Sequence, residues 1–168
     1  MKTVEIDLVP PVTSGPLHLL IDSTGIKVEG EGEWIRRKHG ASRRRIWRKL
    51  HIGIDADSLD IRAIEVTKSS VGDDPVLPDL LNQIPEDQEI ALERNEALRA
   101  IKHLGRALRK KWSGYHRRSL VETKMHCIKL LGEGLMAIDF GRQIAEIKAR
   151  ATVINTFTKL GTPKTKRV

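Results

Sequence analysis

Among its 168 residues the chain has a single cysteine, Cys127, so no internal disulfide framework and no multi-cysteine zinc site can be built within it. Such cysteine poverty suits a reducing cytoplasm. Aromatic residues are 4% of the chain, which points to a core of aliphatic side chains. No apolar run approaches the length of a bilayer span, and the opening Met1-Lys2-Thr3-Val4-Glu5-Ile6-Asp7 lacks the apolar stretch of a signal peptide, so a soluble intracellular protein is expected. Acids are missing from two long stretches. Trp34 to Ile54 carries Arg36, Arg37, Lys38, Arg43, Arg44, Arg45, Arg48 and Lys49 against none, and Ala97 to Val121 repeats the imbalance.

Between those stretches, Asp55 to Glu96 is predominantly acidic, so two basic surfaces bracket an acidic one. The net charge of +8 favours polyanionic partners through phosphate neutralisation and counterion release. At 39% hydrophobic and 31% charged residues, one globular domain with a modest core is expected.

The first half reads as strands. Leu17-His18-Leu19-Leu20-Ile21 is a short apolar run closed by Asp22-Ser23-Thr24-Gly25, after which Ile26-Lys27-Val28 alternates. Two further alternating runs, Ile46 to Ile54 and Leu59 to Thr67, flank Asp55-Ala56-Asp57-Ser58, a sequence suited to a hairpin turn. A three-strand antiparallel meander is the simplest arrangement. The second half reads as helices. Asp73-Asp74-Pro75 offers N-caps before a first-turn proline, followed by Val76, Leu77, Leu80, Leu81 and Ile84 at helical spacing. Glu93 to Trp112 is a basic amphipathic segment with Leu98, Ile101, Leu104 and Leu108 on one face; Tyr115 to Leu131, stopped by Gly132 and Gly134, and Asp139 to Leu160 are further helices. There is no internal repeat.

The residue pattern with chemical content is Tyr115, Arg118, Glu122 and Lys129. Steps of three, four and seven residues put all four side chains on one face of an α-helix, a carboxylate among cations. Glu122 on such a face can ligate a divalent metal while Arg118 and Lys129 hold a phosphodiester; ordinary intrahelical ion pairs on a solvated face are the alternative. Asp22, at the end of an apolar run, is either a rigidly held metal ligand or the opening residue of an Asx-turn. His126 lies one turn beyond Glu122, and His39 and His51 stand in the basic region, without the His-x3-His spacing of a zinc site. Cys127 sits in an apolar run as a core residue. Trp34, Trp47 and Trp112 each neighbour cations; they suit stacking on bases or, the reading taken, core packing beneath a cation.

The spacing Tyr-x2-Arg-x3-Glu-x6-Lys, with Leu19-Leu20-Ile21-Asp22-Ser23-Thr24-Gly25, resembles bacterial insertion-sequence DDE transposases of the IS-four/IS-five superfamily. Trp34 through Gly40, Trp47-Arg48-Lys49-Leu50-His51 and Asp73-Asp74-Pro75-Val76-Leu77 look like the same group, and the likeness runs from about Gly15 to Leu160. The resemblance implies an α+β, ribonuclease-H-like core over residues 17–160, a three-strand meander followed by helices, with residues 1–16 as an extension and 161–168 as a basic tail. It implies DNA strand cleavage and transfer at two Mg²⁺ or Mn²⁺ ions, with Asp22 and Glu122 as catalytic and metal-binding carboxylates. Tyr115, Arg118, Lys129, Arg36, Lys38, Arg48 and Lys49 become DNA-binding candidates.

The pattern departs from the family at one place. Two-metal phosphoryl transfer needs ions about 3.5–4 Å apart, joined by a bridging aspartate. In the family that aspartate ends a fourth strand, several dozen residues ahead of the glutamate helix. Here Pro85-Glu86-Asp87-Gln88-Glu89-Ile90 runs directly into Ala91-Leu92-Glu93-Arg94-Asn95, and Asp87 has the polar neighbours of a turn residue. The expectation is a core without its fourth strand, an inactive remnant with DNA binding only, lacking the helical region that reads element ends. Its partners would be DNA and either a full-length transposase or itself, with no membrane and no small-molecule substrate. The alternative is a DNA-binding or interaction module that regulates a full-length transposase.

Overall fold

The computed structural model describes residues 15–29, 46–88, 90 and 118–161. The helix expected over Glu93 to Trp112, the start of the helix expected from Tyr115, and the tail 162–168 lie outside the described residues. Three antiparallel strands form the meander: β1 (Leu19–Val28), β2 (Ile46–Asp55) and β3 (Ile61–Lys68). A 3-10 turn (Asp74–Val76) leads into α1 (Leu77–Leu81). Then come α2 (Arg118–Leu130), a two-residue strand β4 (Gly134–Leu135) and α3 (Phe140–Leu160). The sheet order is β3-β2-β1-β4, an α+β arrangement as the sequence implied.

β1 is continuous for ten residues, without the break expected at Asp22-Ser23-Thr24-Gly25, because each of these residues pairs with β2, from Asp22 opposite Ile52 to Gly25 opposite Lys49. Tertiary pairing outweighs the turn preference of the tetrapeptide. The β2–β3 turn is as predicted. Asp55 Oδ2 accepts from Ser58 Oγ at 2.7 Å and its Oδ1 from the Asp57 N–H at 3.2 Å, while Leu59 takes a left-handed φ of 62° to close the loop.

Alternation along β1 divides the core in two. Ile26 and Val28 join Leu50, Ile52 and Ile54 on the face covered by Val121, Met125 and Ile128 of α2 and Ile147, Ala151 and Ile154 of α3. Leu19, Ile21 and Ala63 turn to the other face, against Val76, Leu80 and Ile84. A register shift at Gly53/Ile54 sets Ile61, rather than Arg62, opposite Ile54, so Ile61 joins the α2/α3 core.

β3 is an edge strand whose outward backbone groups are met by side-chain amides. Asn155 of α3 accepts from the Ile61 N–H at 2.8 Å and donates to its carbonyl at 2.9 Å; Gln83 does the same for Ile64 at 3.0 and 3.2 Å. Each amide stands in for an absent strand.

The place of the fourth strand is filled in pieces. Ile90 makes an isolated parallel bridge with Leu17, and β4 pairs in parallel with Lys27 and Val28, ten residues further along. Between these two contacts, no described strand pairs with that edge of β1. β4 is held by Arg150, 9% exposed, which donates to the carbonyls of Gly132 (2.6 Å) and Gly134 (2.7 Å) and to Glu146 Oε1 (2.5 Å). Glu146 in turn accepts from the backbone of Met136 and Ala137. A Cβ at Gly132 would stand 2.5 Å from Arg150 Nη2, so a side chain there would push the guanidinium off the carbonyls it holds.

Candidate functional site

Asp22 lies mid-strand in β1, half-buried, on the face that α2 covers, since it shares parity with Thr24 and Ile26. Its Oδ1 accepts from the Ser23 N–H at 2.9 Å. A strand bonded along its length to β2 fixes its backbone rigidly.

Glu122 is exposed in the second turn of α2, and Lys129 lies seven residues on, along the same flank of the helix. That flank turns toward β1, because Lys129 Nζ donates to Thr24 Oγ1 at 2.8 Å, two residues from Asp22. Asp22, Thr24, Lys129 and the Glu122 flank therefore belong to one side of the sheet. Arg118 opens α2, whereas Tyr115, Arg36 and Lys38 lie outside the described residues.

Arg48 and Lys49 emerge on opposite faces. Arg48 stays with α3: its Nε donates to Gln143 Oε1 at 3.0 Å and its guanidinium lies 4.9 Å from the Phe140 ring centroid, the cation–π contact anticipated for tryptophan. Trp47, expected in the core, is 45% exposed on the other face. Cys127 packs half-buried against the core as anticipated.

Behind Asp22 stands a polar junction that sequence reasoning missed. Asp73, read as a helix cap, makes no side-chain cap bond; its Oδ1 instead accepts from Ser23 Oγ (2.6 Å), Lys49 Nζ (2.8 Å) and His51 Nδ1 (3.2 Å). His51 is 1% exposed, and its Nε2 pairs with Thr67 Oγ1 at 3.0 Å. Burial pushes the His51 pKa down, opposed by the nearby carboxylate, while the hydrogen bonds from Lys49 and Ser23 hold Asp73 below the usual carboxylate range. The cross-strand register Ser23 opposite His51 and Gly25 opposite Lys49 could have revealed the junction, but Asp73 joins it only through tertiary folding.

Residues 13–93 match the transposase DDE domain. Over that span the chain is similar to the transposase DDE domain family, and the match supports a DDE transposase. The meander, the half-wrapped sheet and the helices on its Asp22 face are consistent with the ribonuclease-H-like core of such a transposase. No solved structure matches the chain. The transposase match contains Asp22 and the junction behind it, and stops ahead of the helix that carries Glu122.

Transposases of this kind act on DNA and generally use divalent metal ions. Among the described residues the donor set does not fit a two-metal centre. Among the described residues no group of three or more His, Cys, Asp and Glu side chains is placed to hold a metal ion. Asp87 is exposed in a turn, and β4, the stub in the fourth-strand position, is Gly134-Leu135 and brings no carboxylate of its own. Among the described residues no helix is long and apolar enough to cross a membrane.

Proposed function

We propose that this transposase DDE domain, spanning residues 17–160, binds DNA in the cytoplasm through backbone phosphates and has lost strand cleavage and transfer. The observation that carries this reading is the fate of the fourth strand. Ile90 makes an isolated parallel bridge with Leu17, just ahead of β1, the family match ends three residues later, at 93, and the next described element is α2, which bears Glu122. The stretch that would carry a bridging aspartate beside Asp22 has no counterpart in the sequence between them. Asp22 and Glu122 are read as the family's carboxylates, and Tyr115, Arg118 and Lys129, which share the helical register of Glu122 in the sequence, as the candidates for the phosphodiester. Two ligands do not satisfy Mg²⁺ or Mn²⁺ pairs bridging an in-line displacement. Phosphate contact by Arg36, Lys38, Arg48 and Lys49 confers affinity that falls steeply with salt and carries little sequence information.

The test is an incubation of the purified chain with supercoiled plasmid and with linear element-end DNA, in Mg²⁺ and separately in Mn²⁺. No nicking and no joined product is expected, alongside salt-sensitive retention of the DNA. Cleavage that disappears in Glu122→Gln would refute the inactive reading.

A second reading, regulation of a full-length transposase, is supported by the edge of β1 between Leu17 and Lys27, where no described strand pairs and an intact relative has backbone groups to meet. Coexpression separates the two: an inert remnant leaves the transposition frequency of an intact element unchanged, and a regulator lowers it.

A further inference from the structure

One aromatic residue on the side of the sheet opposite Asp22 has no part in the reading above. Trp47 pairs across the sheet with Lys27 and is 45% exposed. Its indole leans over Gly25: a Cβ built there would meet Cε3 at 3.5 Å and Cζ3 at 3.8 Å. Gly25 is itself exposed and pairs with Lys49, so the ring rests along a strip of bare backbone with a lysine at each end. A tryptophan that served only the core would be covered. Here one side lies against glycine and much of the rest is open to water.

We infer that Trp47 is a stacking platform for an unpaired base of single-stranded DNA, with Lys27 and Lys49 contacting the phosphates on either side of that base. The inference rests on the DNA-binding reading and adds a strand preference to it. Three observations select this occupant. The chain carries +8, and Trp47 lies within the acid-free run Trp34 to Ile54, so a polyanion is favoured over an acid-poor protein surface. A flat ring supported from beneath is matched by the face of a base, and duplex DNA keeps base faces stacked away. Both lysines are partly exposed and hold resting partners: Lys49, 23% exposed, holds Asp73 and donates to the Val71 carbonyl at 3.1 Å, and Lys27, 22% exposed, holds Glu29. The acidic partners are 56% and 29% exposed, so a phosphate can approach from solvent and compete for either ammonium.

The test uses the full chain carrying Trp34→Phe and Trp112→Phe, in which Trp47 is the sole tryptophan and is excited selectively over Tyr115. A thymidine oligonucleotide, a mixed-sequence duplex and heparin are titrated at near-physiological salt. Quenching of Trp47 by the oligonucleotide, with little change on heparin, is expected. In the otherwise unaltered chain, Trp47→Leu should weaken the oligonucleotide by roughly 5-fold or more, the range of one lost base–aromatic stack, and duplex binding by less than about 2-fold. Trp47→Phe should recover part of the loss. Thermal unfolding of each variant reports whether it folds, and the emission readout needs no substitution at position 47. Duplex and oligonucleotide binding with a silent Trp47, or with Trp47→Leu unaltered, overturns this inference alone. Failure of both DNA forms to bind overturns it together with the DNA-binding reading.

Discussion

Arg150→Met is the perturbation that most directly probes how the chain occupies the fourth-strand position. Arg150 is 9% exposed, and its guanidinium bridges three acceptors, the carbonyls of Gly132 and Gly134 and the carboxylate of Glu146. Hydrogen bonds that involve a charged group contribute about 1.5–3 kcal/mol each. Methionine fills much of the volume of the arginine stem but satisfies none of the acceptors, and it leaves Glu146 without its cation, although the Met136 and Ala137 N–H groups still donate to it. Breaking a largely buried pair from one side costs about 3–5 kcal/mol. We therefore expect a loss of about 3–4 kcal/mol, a large fraction of the roughly 5–15 kcal/mol typical of a domain. Urea unfolding followed by circular dichroism measures it. A local readout accompanies the global one: the Glu29 N–H, which donates to Leu135 at 2.8 Å, should lose hydrogen-exchange protection as β4 leaves the sheet. Arg150→Lys keeps the charge but not the fork that spans two carbonyls, and should recover less than half of the loss. A Met variant within about 0.5 kcal/mol of the parent, below the scale of a single hydrogen bond, or a Lys variant that matches the parent, would refute this account of β4.

Two further predictions concern the sheet. Asn155→Ala removes both amide contacts to Ile61 and leaves its N–H and carbonyl on an uncapped edge, with an expected loss of about 2–3 kcal/mol by thermal or urea unfolding and greater self-association at high concentration. For His51, the folded pKa lies below 6.5, so the unfolded chain takes the proton first as pH falls through that value. Stability should decline from about pH 6.5 downward toward the folded pKa, and His51→Asn should flatten that part of the pH–stability curve. Asp73 acts lower: its depressed pKa gives stability that is present above the unfolded carboxylate value near 4 and is lost as acid passes below it, a step absent in Asp73→Asn.

Periodicity and turn chemistry were sufficient to write the meander, the Asp55–Ser58 turn, the start of α3 at Asp139 and its end at Leu160. These are local features, set by which side chains alternate and which residues cap, and a linear pattern contains them. The Glu122 and Lys129 register was equally visible, because helical spacing places side chains on one flank before any fold is known. Tertiary structure decided the rest. It ran β1 straight through a tetrapeptide with turn preferences, because ten cross-strand pairs with β2 outweigh them. It turned Asp73 from a helix cap into the acceptor for Ser23, Lys49 and His51, and put Trp47 on the surface rather than in the core. It also seated Gly134-Leu135 beside Lys27 and Val28, under an arginine from the helix that follows in sequence. Each of these depends on residues distant in sequence meeting in space, and the alternation of a strand or the spacing of a helix holds no record of such meetings.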